Sequence, residues 1–233
     1  MPCSAPSPSS QPFNKKNTMI QQRYFPEKAM ARLNAAHVTV CGVGGVGGYV
    51  AATLARMGVG ALTVIDGDTF EASNKNRQLG ALDSTLGQSK ARVLEAHLKD
   101  INKEARISGI PDFVSEANFR ELLSGADLVV DCVDGFPNKL RLNRFCRELH
   151  LPYVTSGIGG THAHVAVITD HDKGRTYYEG RTDESPAANP ATVLVLSGLI
   201  AHEAAVFLLG ERPKSLNRAV FFKHEVPGLW FLH

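Results

Sequence analysis

Residues 38–50 read V-T-V-C-G-V-G-G-V-G-G-Y-V, residues 62–68 read L-T-V-I-D-G-D, residues 74–78 read N-K-N-R-Q and residues 87–90 read G-Q-S-K. The first of these decides the fold. A short apolar run, His37 to Cys41, breaks into Gly42, Gly44, Gly45 and Gly47. An amphipathic run carrying Val50, Leu54 and Met57 follows and closes on Gly58. A second apolar run, Leu62 to Ile65, ends in Asp66, 19 positions after Gly47. Strand, glycine turn, helix, strand and acidic residue together supply the context that a nucleotide-binding fingerprint requires. Gly42 permits the tight turn and Gly44 a close approach of backbone to phosphate. Gly47 lets the helix pack on the strand, and the helix N-terminus offers unpaired N–H groups to an anion. Asp66 is placed to accept hydrogen bonds from a ribose. The bland alternative is a glycine-rich structural turn. Which nucleotide is bound is left to the residues after Asp66.

Composition bounds the rest. A chain of 233 residues is long enough for one large core. Its apolar fraction of 43% and charged fraction of 21% are those of a globular protein. A formal net charge of +2 argues neither for nor against a polyanionic partner. No apolar run is expected to reach the roughly 18 residues that cross a bilayer. The N-terminus lacks a hydrophobic signal core, which makes a cytoplasmic location the expectation. Cys3, Cys41, Cys132 and Cys146 form no C-x-x-C pair, and two of them lie in or beside apolar strands, where a reduced thiol acts as a small apolar group.

Taken in order, residues 1–20 are rich in Ser, Pro, Asn and Lys and read as a disordered tail, with 21–233 forming a single domain. Helical signals fall at 27–33, 88–101, 117–123, 139–149 and 191–209. Strand signals fall at 106–110, 128–133, 153–156 and 165–169. The closing F-F-K-H-E-V-P-G-L-W-F-L-H supplies one more strand or two. The alternation predicts an α/β, Rossmann-like, doubly wound and mostly parallel sheet with antiparallel C-terminal strands. Ligands then belong at the carboxyl ends of the strands. Residues 173–190 are polar and turn-rich and read as a long loop, and 191–209 as a core or dimer-contact helix.

Asn74, Asn76, Arg77 and Gln78 follow Asp66 in a loop, and Lys90 opens the next helix. An NAD enzyme solves its pyrophosphate problem largely with the glycine turn and the helix dipole. A nucleoside triphosphate carries more negative charge, and a guanidinium plus an ammonium suit it. Ordinary surface charge is the competing reading of Arg77 and Lys90. Asp134 stands at a strand tip in D-C-V-D-G-F-P-N-K, where a carboxylate beside a triphosphate can hold Mg²⁺. Asp131, inside the apolar stretch, reads as a turn or helix-cap residue. His162 and His164 share a strand face with His171 near. They are either a metal site or exposed histidines, and no cysteine or carboxylate completes a set. Tyr177 and Tyr178 with Arg175 and Arg181 either stack on a base or are plain loop residues.

G-V-G-G-V-G, I-D-G-D, N-K-N-R-Q, G-Q-S-K and D-C-V-D together resemble the ThiF/MoeB/HesA family, bacterial relatives of ubiquitin-activating enzymes. The resemblance runs from about Arg23 to Gly210 and implies ATP rather than NAD. It implies adenylation of a carboxylate by MgATP, with pyrophosphate released. By motif, the glycine turn contacts the nucleotide and Asp66 holds the ribose, with Asp68 beside it. Asn74, Asn76, Arg77, Gln78 and Lys90 hold the phosphates and the transition-state charge, and Asp134 coordinates Mg²⁺. Family members are homodimers or pseudodimers, which makes a homodimer the expectation. An N-terminal arginine often reaches into the partner's site. Arg23 is the nearest match apart from Arg32, with a spacing that departs from that of the sulfur-carrier enzymes.

Two departures shape the substrate reading. The paired C-x-x-C motifs of zinc-binding relatives are missing, so zinc is not expected. Residues 173–190 contain no cysteine to carry a thioester. The run N-K-N-R-Q-L-G-A-L-D-S-T-L-G is similar to the branch that dehydrates threonylcarbamoyladenosine in tRNA, where the activated carboxylate closes without a thioester. A sulfur-carrier C-terminus, a tRNA nucleoside and a small metabolite all stand as carboxylate substrates. A non-catalytic nucleotide-binding protein and an NAD-dependent oxidoreductase are the readings from other classes.

Overall fold

The structure is a computed structural model describing residues 26–173, 188–225 and 229–232. Expectations for residues 1–20, Arg23, Arg175, Tyr177, Tyr178, Arg181 and most of the 173–190 loop lie outside these described residues.

A first helix, α1 (Glu27–Ala35), leads into β1 (His37–Cys41), α2 (Gly45–Met57) and β2 (Ala61–Ile65). Next come α3 (Lys90–Ile101), β3 (Arg106–Ile110), α4 (Phe119–Leu123), β4 (Leu128–Asp131) and α5 (Phe136–Glu148). The chain continues with β5 (Tyr153–Gly159), β6 (His162–Ile168), α6 (Pro190–Leu208), β7 (Val220–Glu225) and β8 (Leu229–Leu232). Eight strands form one sheet in the order β3-β2-β1-β4-β5-β6-β7-β8. The first five are parallel and the last three run antiparallel to their neighbours. The expected doubly wound sheet with antiparallel C-terminal strands is therefore present.

The sequence makes both faces of this sheet apolar in alternation. Val38 and Val40 of β1, Leu62 and Val64 of β2, and Leu128 and Val130 of β4 meet α2, α3 and α6 in one core cluster. Cys41, Ile65 and Val129, offset by one residue, meet α4 and α5 in a second. A period of two on strands buried from both sides places one helix layer on each face. After β3 the chain crosses to β4, which pairs with β1 on the side opposite β2. The sheet thus has a switch point between β1 and β4, where Cys41 is level with Asp131, and a crevice opens there by construction.

Helix ends follow local chemistry. Gly58 caps α2 in the left-handed conformation at φ 89°, which costs glycine little. Ser89 caps α3 by accepting from the Arg92 N–H. Pro137 lies in the first turn of α5, where its missing N–H is harmless, so α5 begins at Phe136 rather than at the expected Lys139.

One expectation needs correcting. By length and composition α6, with 19 residues, is apolar enough to cross a membrane, although no such run was expected. Half of it is buried inside the protein. Val193, Leu196, Ile200 and Ala204 enter the core, and Ser197 Oγ donates to the Val46 carbonyl in the first turn of α2 at 3.1 Å. Glu203, the charge inside this helix, accepts from the Ser215 N–H at 2.8 Å. It thereby ties the segment entering β7 to the core.

Candidate functional site

At the switch point a cavity of about 580 Å³ opens above the carboxyl ends of β1, β2 and β4. That volume lies in the range of small-molecule sites. Gly42, Gly44, Gly45, Asp66, Asp68, Arg77, Gln78, Lys90 and Asp134 all line it. Gly47, Asn74 and Asn76 do not.

The glycine turn is built by exclusion. Gly42 has φ 82°, and a Cβ there would stand 2.6 Å from the Cys132 carbonyl oxygen. A Cβ on Gly47 would stand 1.9 Å from the Gly42 carbonyl oxygen, so this glycine serves the packing of α2 against the turn. Gly44 differs. The nearest atom to its missing Cβ is Gln78 Nε2 at 3.5 Å, so a methyl group there would occupy cavity space. Gly45 is flanked by the Arg77 stem and by Val193 of α6. The first N–H groups of α2 therefore meet the cavity without side chains in front of them. Helix geometry leaves those groups unpaired and positive.

Asp66 is held at the end of β2. Its Oδ2 accepts from the Val43 N–H at 2.8 Å and its Oδ1 from the Asp68 N–H at 2.9 Å. Burial pushes its carboxyl above the ordinary value, against the opposing pull of those two N–H groups and of Lys90. Each oxygen keeps acceptor capacity for a hydroxyl. The Lys90 ammonium lies 3.1 Å from Asp68 Oδ2, with the lysine side chain only 9% exposed and that of Asp68 56% exposed. Arg77 donates to Asn76 Oδ1 at 2.9 Å and to the Ser73 carbonyl at 3.3 Å. Asn76 thus orients the guanidinium from outside the cavity. Asn74 has a similar indirect place: its Oδ1 accepts from the Glu71 N–H at 3.1 Å and shapes the turn before Arg77.

Gln78 is the informative residue. It is 8% exposed and lines the cavity, and among the described residues its Oε1 has no hydrogen-bond partner. Buried amide oxygens without partners are costly and rare. The Nε2 donor faces Gly44 and the unpartnered Oε1 awaits a donor, which fits a polar ligand carrying both kinds of group.

Asp134 is exposed at the tip of β4 and reaches the same cavity. Asp131 departs from expectation. It is neither turn nor cap but the last residue of β4, fully buried, and it pairs with Lys139 Nζ at 3.2 Å. Phe113, Asn138 and Arg141 also line the cavity, and so do Val114, Leu142 and Phe145, which make part of it apolar. Sequence reading missed all six. Phe113 had one available signal: it stands directly beyond β3, at a strand's carboxyl end. Its ring fills the space where a Cβ on Gly67 would be, 2.4 Å away.

Among the described residues the thiols sit where ionisation is disfavoured. Burial pushes Cys132 up to about 12, with Lys139 opposing and Asp131 and Asp134 adding to the rise. Burial also raises Cys41 and Cys146. His162 and His164 share a face of β6, level with Gly159 and Gly157. His171 lies beyond the other end of that strand, stacked on Tyr153 at 5.8 Å, so the three do not converge. Among the described residues no cluster of His, Cys, Asp or Glu is arranged to hold a metal by itself.

Comparison with known proteins identifies the family. The ThiF family matches residues 16–227. A tRNA threonylcarbamoyladenosine dehydratase of Escherichia coli is 40% identical over 139 residues, 59% of this chain and 52% of that protein. One of Haemophilus influenzae is 32% identical over 198 residues, 81% of this chain and 76% of that protein. The SAMP-activating enzyme E1 of Haloferax volcanii is 35% identical over 140 residues, 60% of this chain and 52% of that protein. The chain thus spans about half the length of two of these three relatives. The E. coli tRNA N6-threonylcarbamoyladenosine dehydratase TcdA, solved with ATP, superposes with TM-score 0.70 at 27% identity over 82% of this chain and 92% of that one. E. coli MccB, also solved with ATP, gives TM-score 0.75 at 23% identity over 89% of this chain and 66% of that one, a likeness of fold.

Proposed function

The chain belongs to the ThiF family, and we propose that it transfers adenylate from ATP to a carboxylate with release of pyrophosphate. The observation that carries this reading is the single lining. It joins a bare glycine turn, a ribose acceptor, two cations, a strand-tip carboxylate and the orphaned Gln78 amide.

In this reading the triphosphate lies on the glycine turn and the first N–H groups of α2. Asp66 receives the ribose hydroxyls. The apolar part of the lining, Val114, Leu142 and Phe145, suits the faces of a purine. Gln78 donates through Nε2, the atom nearest Gly44, to the phosphates and keeps Oε1 to accept from a hydroxyl, while Asn74 and Asn76 support the loop that presents Arg77. A substrate carboxylate oxygen attacks the α-phosphorus. The bond from that phosphorus to the bridging oxygen breaks, and its electron pair leaves with pyrophosphate. Arg77 and Lys90 face the charge that builds on the departing oxygens. Asp134 would hold Mg²⁺, which supplies further neutralisation of phosphate charge.

The substrate we favour is the threonylcarbamoyl carboxylate of a modified tRNA adenosine. Two relatives carry that activity in their names, and residues 173–190 hold no cysteine for a thioester. A nucleophile within the same nucleoside then displaces AMP. We further place residues 21–233 in one domain that works as a homodimer in the cytoplasm. The tRNA-modifying relatives and the free, buried Cys41 and Cys146 fit that compartment.

ATP–pyrophosphate exchange tests the reading with three acceptors: tRNA bearing threonylcarbamoyladenosine, a sulfur-carrier-type protein with a free C-terminal carboxylate, and none. Exchange dependent on the tRNA is expected. Exchange with the carrier protein alone moves the substrate class. ATP binding without exchange in any arm marks a non-catalytic nucleotide-binding protein. Tight NAD binding without ATP binding marks an oxidoreductase.

A further inference from the structure

The loop that carries Asp134 is closed at its two ends by one buried ion pair. Asp131 ends β4 and Lys139 lies in the first turns of α5, with Asp134 between them. Lys139 Nζ stands 3.2 Å from Asp131 Oδ1, with side chains 8% and 0% exposed. The same oxygen accepts from the Val133 N–H at 3.2 Å, and Oδ2 accepts from Thr155 Oγ1 of β5 at 2.6 Å. One carboxylate therefore joins the strand end, the loop's second residue, the next helix and the next strand.

Stability does not account for such a pair. Taking two charges out of water is costly, and apolar residues of equal volume in their place are often neutral or better. What an ion pair with added hydrogen bonds supplies is direction. The loop between the two residues contains Gly135 at φ 82° and turns sharply. The loop has other hydrogen bonds: the Cys132 N–H donates to the Cys41 carbonyl at 2.9 Å, the Asn138 N–H to the Gly135 carbonyl at 3.1 Å and Asn138 Nδ2 to the Asp134 carbonyl at 2.8 Å. The ion pair adds the direct tie between the strand end and α5. The loop also forms one wall of the glycine turn. A Cβ on Gly42 would meet the Cys132 carbonyl oxygen at 2.6 Å, and one on Gly47 would come 3.1 Å from Cys132 Cβ. Moving the chain between Asp131 and Asp134 therefore moves both the carboxylate and the surface beneath the nucleotide.

We propose that Asp131 and Lys139 are positioning residues for Asp134, their ion pair setting where its carboxylate stands relative to the glycine turn and hence how well the site takes ATP with Mg²⁺. This rests on the reading of Asp134 given above. Neither residue touches the nucleotide in this role. They act through the loop they clamp, as partners beyond the ligands of a metal site do.

The test compares the wild-type chain with Lys139→Met, the uncharged replacement Asp131→Asn/Lys139→Met, and Asp134→Asn. ATP binding is measured by calorimetry in EDTA and across a Mg²⁺ titration, beside thermal unfolding. In both Lys139 variants the Mg²⁺ concentration at half of the metal-dependent binding should rise about ten- to a hundredfold, a larger factor than any accompanying fall in metal-free ATP affinity. The double variant, freed of both charges, should unfold close to the wild-type temperature and still show that rise. A merely structural pair predicts the same unfolding temperatures, lowered in Lys139→Met by the stranded Asp131 charge and recovered in the double variant, but a wild-type Mg²⁺ requirement in both. That result overturns the positioning role alone. A wild-type Mg²⁺ requirement in Asp134→Asn overturns the metal reading and the positioning role with it.

Discussion

Replacing Lys90 by methionine separates chemistry from stability at one residue. The ammonium lines the cavity on a side chain that is 9% exposed, and its partner Asp68 is 56% exposed, 3.1 Å away. Losing an ion pair with one exposed member costs about 1 kcal/mol or less. Asp68 remains solvated, so no buried charge is stranded. Lys90 is also the first residue of α3, where a cation opposes the helix dipole, and its removal returns about 0.3–1 kcal/mol. Methionine keeps the buried stem packed. The two terms nearly cancel, and the unfolding temperature should move by no more than about 4 °C. The chemical step is another matter. A donor aimed at charge that develops as pyrophosphate leaves is worth about 3 kcal/mol, roughly a hundredfold in rate. Ground-state ATP keeps the glycine turn, the α2 N-terminus and Asp66. Pyrophosphate exchange should fall about a hundredfold, with ATP affinity by calorimetry changed far less. Arg77→Ala should behave in the same way. If affinity and rate fall together, these cations only anchor the nucleotide. If neither falls, they are surface charges and the assigned chemistry fails.

Gly44→Ala and Gly47→Ala should part company although they are three residues apart. The first adds a methyl beside Gln78 Nε2 at 3.5 Å, so the fold should survive while ATP affinity by calorimetry drops more than about tenfold. The second drives a methyl to 1.9 Å from the Gly42 carbonyl and should cost on the order of 3 kcal/mol in denaturant unfolding. Equal stability of the two variants would undo the distinction. Asp134→Asn should abolish Mg²⁺-dependent exchange with little change in unfolding temperature, because an exposed strand-tip carboxylate contributes little to stability. Persisting Mg²⁺-dependent exchange in a folded variant would remove Asp134 from the site. Cys132, pushed up to about 12 by burial, has about one thiolate in ten thousand at pH 8. Its alkylation by iodoacetamide, followed by mass mapping, should be negligible in the folded chain and fast in urea. Rapid native modification would refute that environment.

The glycine turn and the alternating strands were legible because local chemistry dictates them. β1 and β3 have the bounds that periodicity gives them, and α2 ends at the glycine expected to end it. Asp66 was legible for the same reason, as the residue that follows β2, the buried strand beside β1. Residues that touch the cavity only through tertiary approach were not. Arg141 sits one residue before the buried Leu142, and nothing in the helical period tells which flank of that buried stripe will meet the crevice. Phe113 is legible only once β3 is known to lie beside β2.

Asp131 shows the limit most clearly. A carboxylate inside L-V-V-D-C-V suggests a turn, because an unpaired charge in a buried strand is prohibitive. That inference is sound and its premise is false: the charge is paired, by a lysine whose own position looked like an ordinary helix start. The signal lay in the spacing between them, strand end to first helical turns across a glycine at φ 82°. A cation there can return to the strand it has just left. A buried acid at a strand's carboxyl end, followed after such a turn by a lysine, is therefore better read as a pair than as two separate surface features. Here it brackets the residue assigned to the metal.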